Sequence, residues 1–361
     1  MNILKLALNT YLLKREPISL IHFVTHKCNA RCKHCFIDFR NEASSDELSI
    51  SEIERLTKKM GGSLYNVNLT GGEPFLRKDI FEIVSLYCKN TSAEIINITT
   101  NGTYTDAVRD LIERFRSAKF KQKLMFSISI DNFEPAHDDN RGVKGIYSNA
   151  LKTYKLIESY EDRQIVGTIS ITVTPHNHCT VTGLYRHLRR QGVKSFFPIL
   201  IREEGAVRNI ENKPAILAAW SKLQAQIKAD RLEGMGDDPK GIYSKARSDL
   251  INKILPEIYL TKRYVCHCSA GTLFGVIRPN GDVLPCEVLD SRNLGNLRDY
   301  DMDFMKLWNS EKSGQWRRDL KKNRCSCSFE CAWSVNIASN IKFIPRLLFH
   351  ILENISWKRR R

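Results

Sequence analysis

No window of this chain approaches the ~18 unbroken apolar residues that a membrane-spanning helix needs. The N-terminal stretch lacks the apolar core and small-residue cleavage site of a secretory signal. Zinc-finger spacing and RNP-type motifs are missing too, which ranks nucleic acid last among possible partners. Nor is the chain poor in apolar residues as a disordered one would be: they make up 42%, with 16 Phe, 12 Tyr and 5 Trp to build a core. These absences lead us to expect a cytosolic protein. In a reducing compartment, eleven cysteines are read as metal ligands before disulfides.

At 361 residues the chain has room for one large domain and a smaller one. Its 56 basic residues against 40 acidic ones call for an anionic partner: a membrane surface, nucleic acid, or an acidic small molecule or peptide. Nine of the eleven cysteines fall in two groups, at 28–35 and 266–331. Cys88 and Cys179 stand alone and are expected to be small buried hydrophobes.

Residues 1–16 are predicted to form a short basic amphipathic helix stopped by Pro17. Beyond it, apolar β-type runs near 18–25, 64–70, 93–100, 124–131, 165–174 and 195–201 alternate with helical patterns near 49–60, 79–89, 105–118, 146–160, 180–191 and 213–232. Six strand–helix repeats without long alternating hairpins predict an α/β fold with a parallel sheet, either open and doubly wound or a partial barrel. In either architecture chemistry gathers at the carboxyl ends of strands. The pattern degrades over 234–265, where one helical segment, Tyr243–Ile254, bridges to the second cysteine group.

The first cysteine group, Cys28, Cys32 and Cys35, is a C-x3-C-x2-C motif directly after the first strand. Three thiolates this close can hold three corners of an iron–sulfur cube. A closed site would need a fourth ligand, and no other cysteine lies within fifty residues. Either His34 completes the site or one iron is left open for a ligand that is not protein. After the second strand comes Gly71-Gly72-Glu73-Pro74. Its two glycines let backbone approach a ligand, Pro74 fixes the exit, and the Glu73 carboxylate suits an ammonium group. Thr99 and Asn101 end the third strand with short polar side chains suited to a ribose. In the fourth, alternation puts Ser127, Ser129 and Asp131 on one face.

C-x3-C-x2-C after one strand and Gly-Gly-Glu-Pro after the next resemble the radical S-adenosylmethionine (SAM) superfamily. The resemblance implies an incomplete (β/α)6 barrel over 18–233 and a SAM-binding [4Fe–4S] cluster on Cys28, Cys32 and Cys35. It further implies reductive cleavage of SAM to methionine and a 5′-deoxyadenosyl radical that abstracts a substrate hydrogen. The Gly71–Pro74 loop would hold the methionine amino group, and Ser129 and Asp131 would line the pocket. Arg141 would reach the SAM carboxylate, and Thr174 would end the strand beneath adenine. His34 departs from the aromatic residue usual before the third cysteine, at the adenine edge.

In the second group, Pro279-Asn280-Gly281-Asp282 is a tight hairpin turn between β-type runs that can bring Cys268 and Cys286 together. Cys325, Cys327 and Cys331 follow. The C-x12-G-x4-C spacing resembles the SPASM/twitch extension of radical SAM enzymes and implies one auxiliary [4Fe–4S] cluster in a small hairpin-plus-helix domain over 266–335. Cys268, Cys286 and Cys331 are expected as ligands, with Cys325 and Cys327 competing for the last place. Zinc shares this soft thiolate preference. The chain closes on a basic amphipathic segment, 336–361, with apolar residues at 344, 347, 348, 351 and 355, then Trp357 and a Lys/Arg tail. It reads equally as a helix docked on the barrel or as an interfacial helix, peripheral at the inner face of an anionic membrane. A flavodoxin or ferredoxin would supply electrons. Substrates compatible with the resemblance are peptides, lipid-linked molecules and anionic metabolites. The short lead before the first strand argues against a leader-dependent peptide, and the basic termini favour a lipid-linked or anionic one. The rival class is a non-catalytic iron–sulfur or zinc protein, which has no need of the Gly-Gly-Glu-Pro loop.

Overall fold

The computed structural model describes residues 3–37, 46–203, 207, 209–234, 239–289 and 292–359; side chains at 231–234, 239–240 and 357–359 are outside that description. The side chains of Trp357 and the basic tail, and residues 235–238 of the stretch where the pattern degrades, therefore lie outside it. In chain order, α1 (Ile3–Leu8) precedes β1 (Ser19–Thr25), α2 (Ile50–Lys58), β2 (Asn66–Gly71), α3 (Ile80–Asn90) and β3 (Ile95–Thr100). Next come α4 (Thr105–Ser117), β4 (Lys123–Ser129), α5 (Glu134–Arg141), α6 (Ile146–Ser159), β5 (Ile165–Val173), α7 (Val181–Arg190) and β6 (Phe196–Leu200). The long helices α8 (Lys213–Gly234) and α9 (Pro239–Thr261) lead to β7 (Phe274–Ile277), β8 (Asp282–Leu284) and β9 (Gly295–Asn296). Four helices close the chain: α10 (Phe304–Trp308), α11 (Glu311–Asn323), α12 (Glu330–Ser339) and α13 (Ile344–Arg359).

β1 to β6 pair in parallel in sequence order, each strand flanked by a helix. One face of each central strand is fully apolar and covered by helices: Val67 and Leu69, Ile96 and Ile98, Leu124, Phe126 and Ile128 are all 0% exposed. The alternate positions are mostly polar and, Lys123 apart, half-buried. Across them Asn97 donates to Asn68 (2.7 Å), Thr99 to Asn68 (3.1 Å) and Ser127 to Asn97 (3.1 Å). A closed barrel fills its interior with apolar layers. This one stays open, with β6 at its edge, and presents a hydrogen-bonded polar floor.

Beyond β1 the sheet continues. β7 pairs with β1 in parallel, Ser19 opposite Phe274, and β8 and β9 add antiparallel strands. The hairpin of the second cysteine group is thus built onto the barrel sheet, and its apolar cluster includes Ile21 and Phe23 of β1 with Cys268, Leu273, Cys286 and Phe329. Across the open side, Glu330 at the start of α12 accepts from the Leu200 N–H (3.0 Å) and pairs with Arg202 (3.3 Å), tying β6 to the cysteine-bearing region.

Local chemistry explains where expectation and structure differ. Residues 137–141 fall within a helix, α5, seeded by Pro135 and stopped by Gly142 at φ +67°. α9 runs past Ile254 through Pro256, because Leu255, Ile258 and Tyr259 behind it are buried. Cys88 is buried as expected, whereas Cys179 is exposed beside His178, in the turn leading into α7. No helix among the described residues is long and apolar enough to cross a membrane.

Candidate functional site

The loop after β1 carries Cys28, Cys32 and Cys35 and is held from three sides. From β2, the Gly72 N–H donates to the Thr25 carbonyl (2.9 Å) and the Glu73 N–H to that of Lys27 (2.8 Å). A Cβ on Gly71, at φ +140°, would stand 2.3 Å from the Thr25 oxygen, and one on Gly72 2.1 Å from that of Lys27. Both glycines are therefore required by backbone packed on backbone. From α5, the Asn140 and Arg141 carbonyls accept from the Lys33 and Arg31 N–H groups, each at 2.9 Å. From β3, Asn101 donates to Asn29 (2.8 Å).

The three thiols interact electrostatically with one another. Burial pushes all three up, Cys35 to about 12, so as free thiols they are neutral. Iron must displace their protons. Among the described residues no three His, Cys, Asp or Glu side chains converge on one point as ligands of a single ion do. A cube binds each thiolate at a different iron and makes no such demand.

Arg141 is buried beneath Cys32. One guanidinium nitrogen pairs with Asp131 and another lies 3.7 Å from the Cys32 sulfur, while its Nε is buried without a partner. Asp131 is buried as well, and burial alone would raise its pKa; Arg141, with His34 and His137, overrides this and holds it below the usual range. Asp131 also accepts from the Thr172 N–H (2.8 Å), and its own N–H donates to His137 Nδ1 (3.1 Å). His34 turns Nδ1 to the Asn140 amide (2.9 Å) and Nε2 to Asp131 (3.7 Å), so both ring nitrogens face protein groups.

Glu73 does not point into open space. It is 0% exposed and accepts from the Phe75 N–H (3.2 Å), the Thr100 hydroxyl (2.7 Å) and the Asn101 N–H (2.8 Å). Burial outweighs these bonds and pushes its pKa up to about 7. Thr174, expected to end the fifth strand, lies one residue past it, buried in a turn closed by Asn177. Thr99 and Ser129 are half-buried on the inner face. Sequence reasoning missed Asn29, Asn140, Thr172 and His137. The polar C-x3-C-x2-C spacers and the Asn140-Arg141-Gly142 helix end were the signals available.

In the second group, Cys286 feels Cys327 and Cys268, and Cys268 influences Cys325 and Cys266. Cys268, Cys286, Cys325 and Cys327 share one apolar cluster, with Trp333 donating to the Cys327 carbonyl (2.8 Å). Cys331 is exposed on the first turn of α12, with Glu287 and Glu330 as its leading charged neighbours. Cys266, a neighbour of Cys268, was not among the expected ligands.

An open parallel α/β barrel with a triple-cysteine loop at the mouth of its first strand, and a second cysteine cluster built on the same sheet, defines a class of iron–sulfur enzyme. Residues 23–202 match the radical SAM superfamily and residues 266–332 the SPASM iron–sulfur cluster-binding domain. The chain belongs to the radical SAM superfamily and is an enzyme of it. Among its relatives are the antilisterial bacteriocin subtilosin biosynthesis protein AlbA of Bacillus subtilis (26% identical; 87% of this chain, 66% of AlbA) and the PqqA peptide cyclase of Xanthomonas campestris (22%; 81% and 73%). The chain thus spans 66% of AlbA's length. The fold is similar to that of anSMEcpe with bound AdoMet (TM-score 0.61, 20% identical, 96% of each chain). It is also similar to that of Streptococcus suis SuiB bound to S-adenosylmethionine (0.61, 17%; 87% of this chain and 70% of SuiB). Membership brings a [4Fe–4S] cluster and SAM as cofactors, and the SPASM domain brings auxiliary iron–sulfur. The donor chemistry fits: grouped thiols, backbone clamped around them, and the Arg141 guanidinium beside Cys32 with its Nε buried and unpartnered.

Proposed function

We propose that the enzyme modifies a peptide side chain by hydrogen abstraction from an unactivated carbon. Bound together, cluster and SAM supply a one-electron C–S cleavage that yields the 5′-deoxyadenosyl radical. In this reading Cys28, Cys32 and Cys35 hold three corners of the cube. The observation that carries it is His34: its Nδ1 is bonded to the Asn140 amide and its Nε2 lies 3.7 Å from Asp131, which favours leaving the fourth corner to SAM. Gly71, Gly72 and Pro74 set the loop that receives the methionine end. Glu73 acts from behind it, fixing Thr100 and Asn101, so the ammonium is met by that loop's backbone oxygens. Thr99, Asn101 and Ser129 face the ribose from the polar floor. Asp131 and Arg141 form the wall beside the cluster, and the Thr174 turn lies beneath adenine.

We assign Cys268, Cys286, Cys325 and Cys327 to one auxiliary cluster, with Cys331 as the alternative donor, and a flavodoxin or ferredoxin as reductant. Peptide substrates are favoured because relatives are named for bacteriocin biosynthesis and peptide cyclisation, and SuiB has been solved with its precursor peptide SuiA. This departs from the lipid-linked or anionic metabolite favoured by charge alone. The test is anaerobic incubation of the reconstituted enzyme, SAM and dithionite with peptides encoded beside its gene. A peptide mass change dependent on SAM and on Cys32 supports the reading. SAM cleavage without change in any such peptide, but with change in a small anionic metabolite, removes it.

A further inference from the structure

Ten of the fourteen large apolar side chains standing exposed among the described residues belong to two short segments near the chain ends. Leu4, Leu8 and Leu12, at helical spacing, are 78%, 43% and 75% exposed, with Tyr11 and Leu13 beside them. At the other end, Ile341, Ile344, Leu348 and Leu352 repeat at three- and four-residue intervals and are 40–66% exposed, with Phe349 alongside. α13 is docked all the same. Phe343, Leu347, His350 and Asn354 are buried, and the helix packs on α9. It therefore carries two stripes, one that holds it to the protein and one that the fold leaves uncovered. The segments adjoin where Lys14 reaches the Ser339 carbonyl (3.5 Å), two residues before Ile341.

The charge around these stripes is predominantly basic. Lys342 and Arg346 are exposed between the apolar positions, and the sequence ends in four consecutive Lys/Arg residues. Glu353, the only acid after residue 340, faces His350 (3.0 Å) and Lys228 (3.5 Å). Near the N-terminus, Lys14 and Arg15 flank the stripe, and Glu16 is paired with Lys5 (3.2 Å). A second copy is a poor occupant, since each chain carries a net charge of +16 and would present the same basic rim. An apolar stripe set in Lys and Arg matches the headgroup–acyl boundary of an anionic bilayer, where lysines near the surface gain from the lipid charge.

We propose that α1 with the turn after it and the outer stripe of α13 form one peripheral docking surface for anionic membrane. The surface is independent of the catalytic reading. The test is flotation of the reconstituted protein with vesicles of phosphatidylcholine alone or with a third phosphatidylglycerol, at low and high salt. The expected result is binding to the anionic vesicles only, weakened by salt, and reduced at least tenfold by Leu348→Glu/Leu352→Glu or by Leu4→Glu/Leu12→Glu. These positions are exposed, so unchanged circular dichroism and cluster absorption would show that the variants fold. No binding of wild type to anionic vesicles at low salt overturns the proposal. So does equal binding by folded variants, or a wild-type dimer that these variants dissociate in the absence of lipid.

Discussion

Arg141 sits between a carboxylate and a cysteine sulfur, so its removal acts on two properties that can be read separately. Arg141→Met strands Asp131 as a buried charge and should cost about 3–5 kcal/mol in denaturant unfolding, with Asp131→Asn in the same chain recovering part of it. The same change removes an N–H and a positive charge from beside Cys32, and such hydrogen bonds help set cluster potentials. The cluster in Arg141→Met should therefore be harder to reduce in an EPR-monitored redox titration, while Arg141→Lys, which keeps the charge but not the two-nitrogen fork, shifts less. A second residue-scale prediction concerns Gly72→Ala. Its methyl would meet the Lys27 oxygen at 2.1 Å, so loop and strand must part, and iron bound per chain after reconstitution should fall sharply. The cysteines and glycines were legible because their spacing is the chemistry. The burial of Arg141 was not, since pairing with Asp131 is what permits it and no sequence period reports a pair ten residues apart.

At the scale of elements, the six barrel strands and their helices follow the two hydrophobic periods within a residue or two. The joining of β7 to β1 does not, because partners 255 residues apart leave no local trace. α5 was hidden for another reason: its eight residues include Pro135 and a run of Asp and Asn that favours turns. The link between β6 and α12 makes a testable claim about how the open side is braced. Glu330→Ala removes the acceptor of the Leu200 N–H and one partner of Arg202, and should cost about 3 kcal/mol. Urea unfolding measures it; a loss under about 0.5 kcal/mol would mean the bridge does not brace the gap.

For the whole molecule, stability should depend on pH through histidines that the core holds neutral. Burial pushes His22 and His137 down to about 3 from an ordinary 6.5. Between those values the unfolded chain binds protons that the folded chain refuses, so their contribution is complete above pH 6.5 and is lost as pH falls toward 3. The stability difference between wild type and His22→Asn should widen as pH rises from 4 to 6.5; a constant difference would refute the assignment. Buried Glu73, raised to about 7, acts oppositely in the cofactor-free chain: its contribution is lost as pH rises from 4.5 through 7. The measurement that bears most directly on the account is EPR of the reduced barrel cluster in a Cys268→Ala/Cys286→Ala chain, with and without SAM, with the nucleoside product quantified alongside. If three cysteines leave one iron open, SAM changes the spectrum and 5′-deoxyadenosine forms, and both are lost in Cys32→Ala. A reduced cluster whose spectrum SAM does not move, with no nucleoside released, would contradict it.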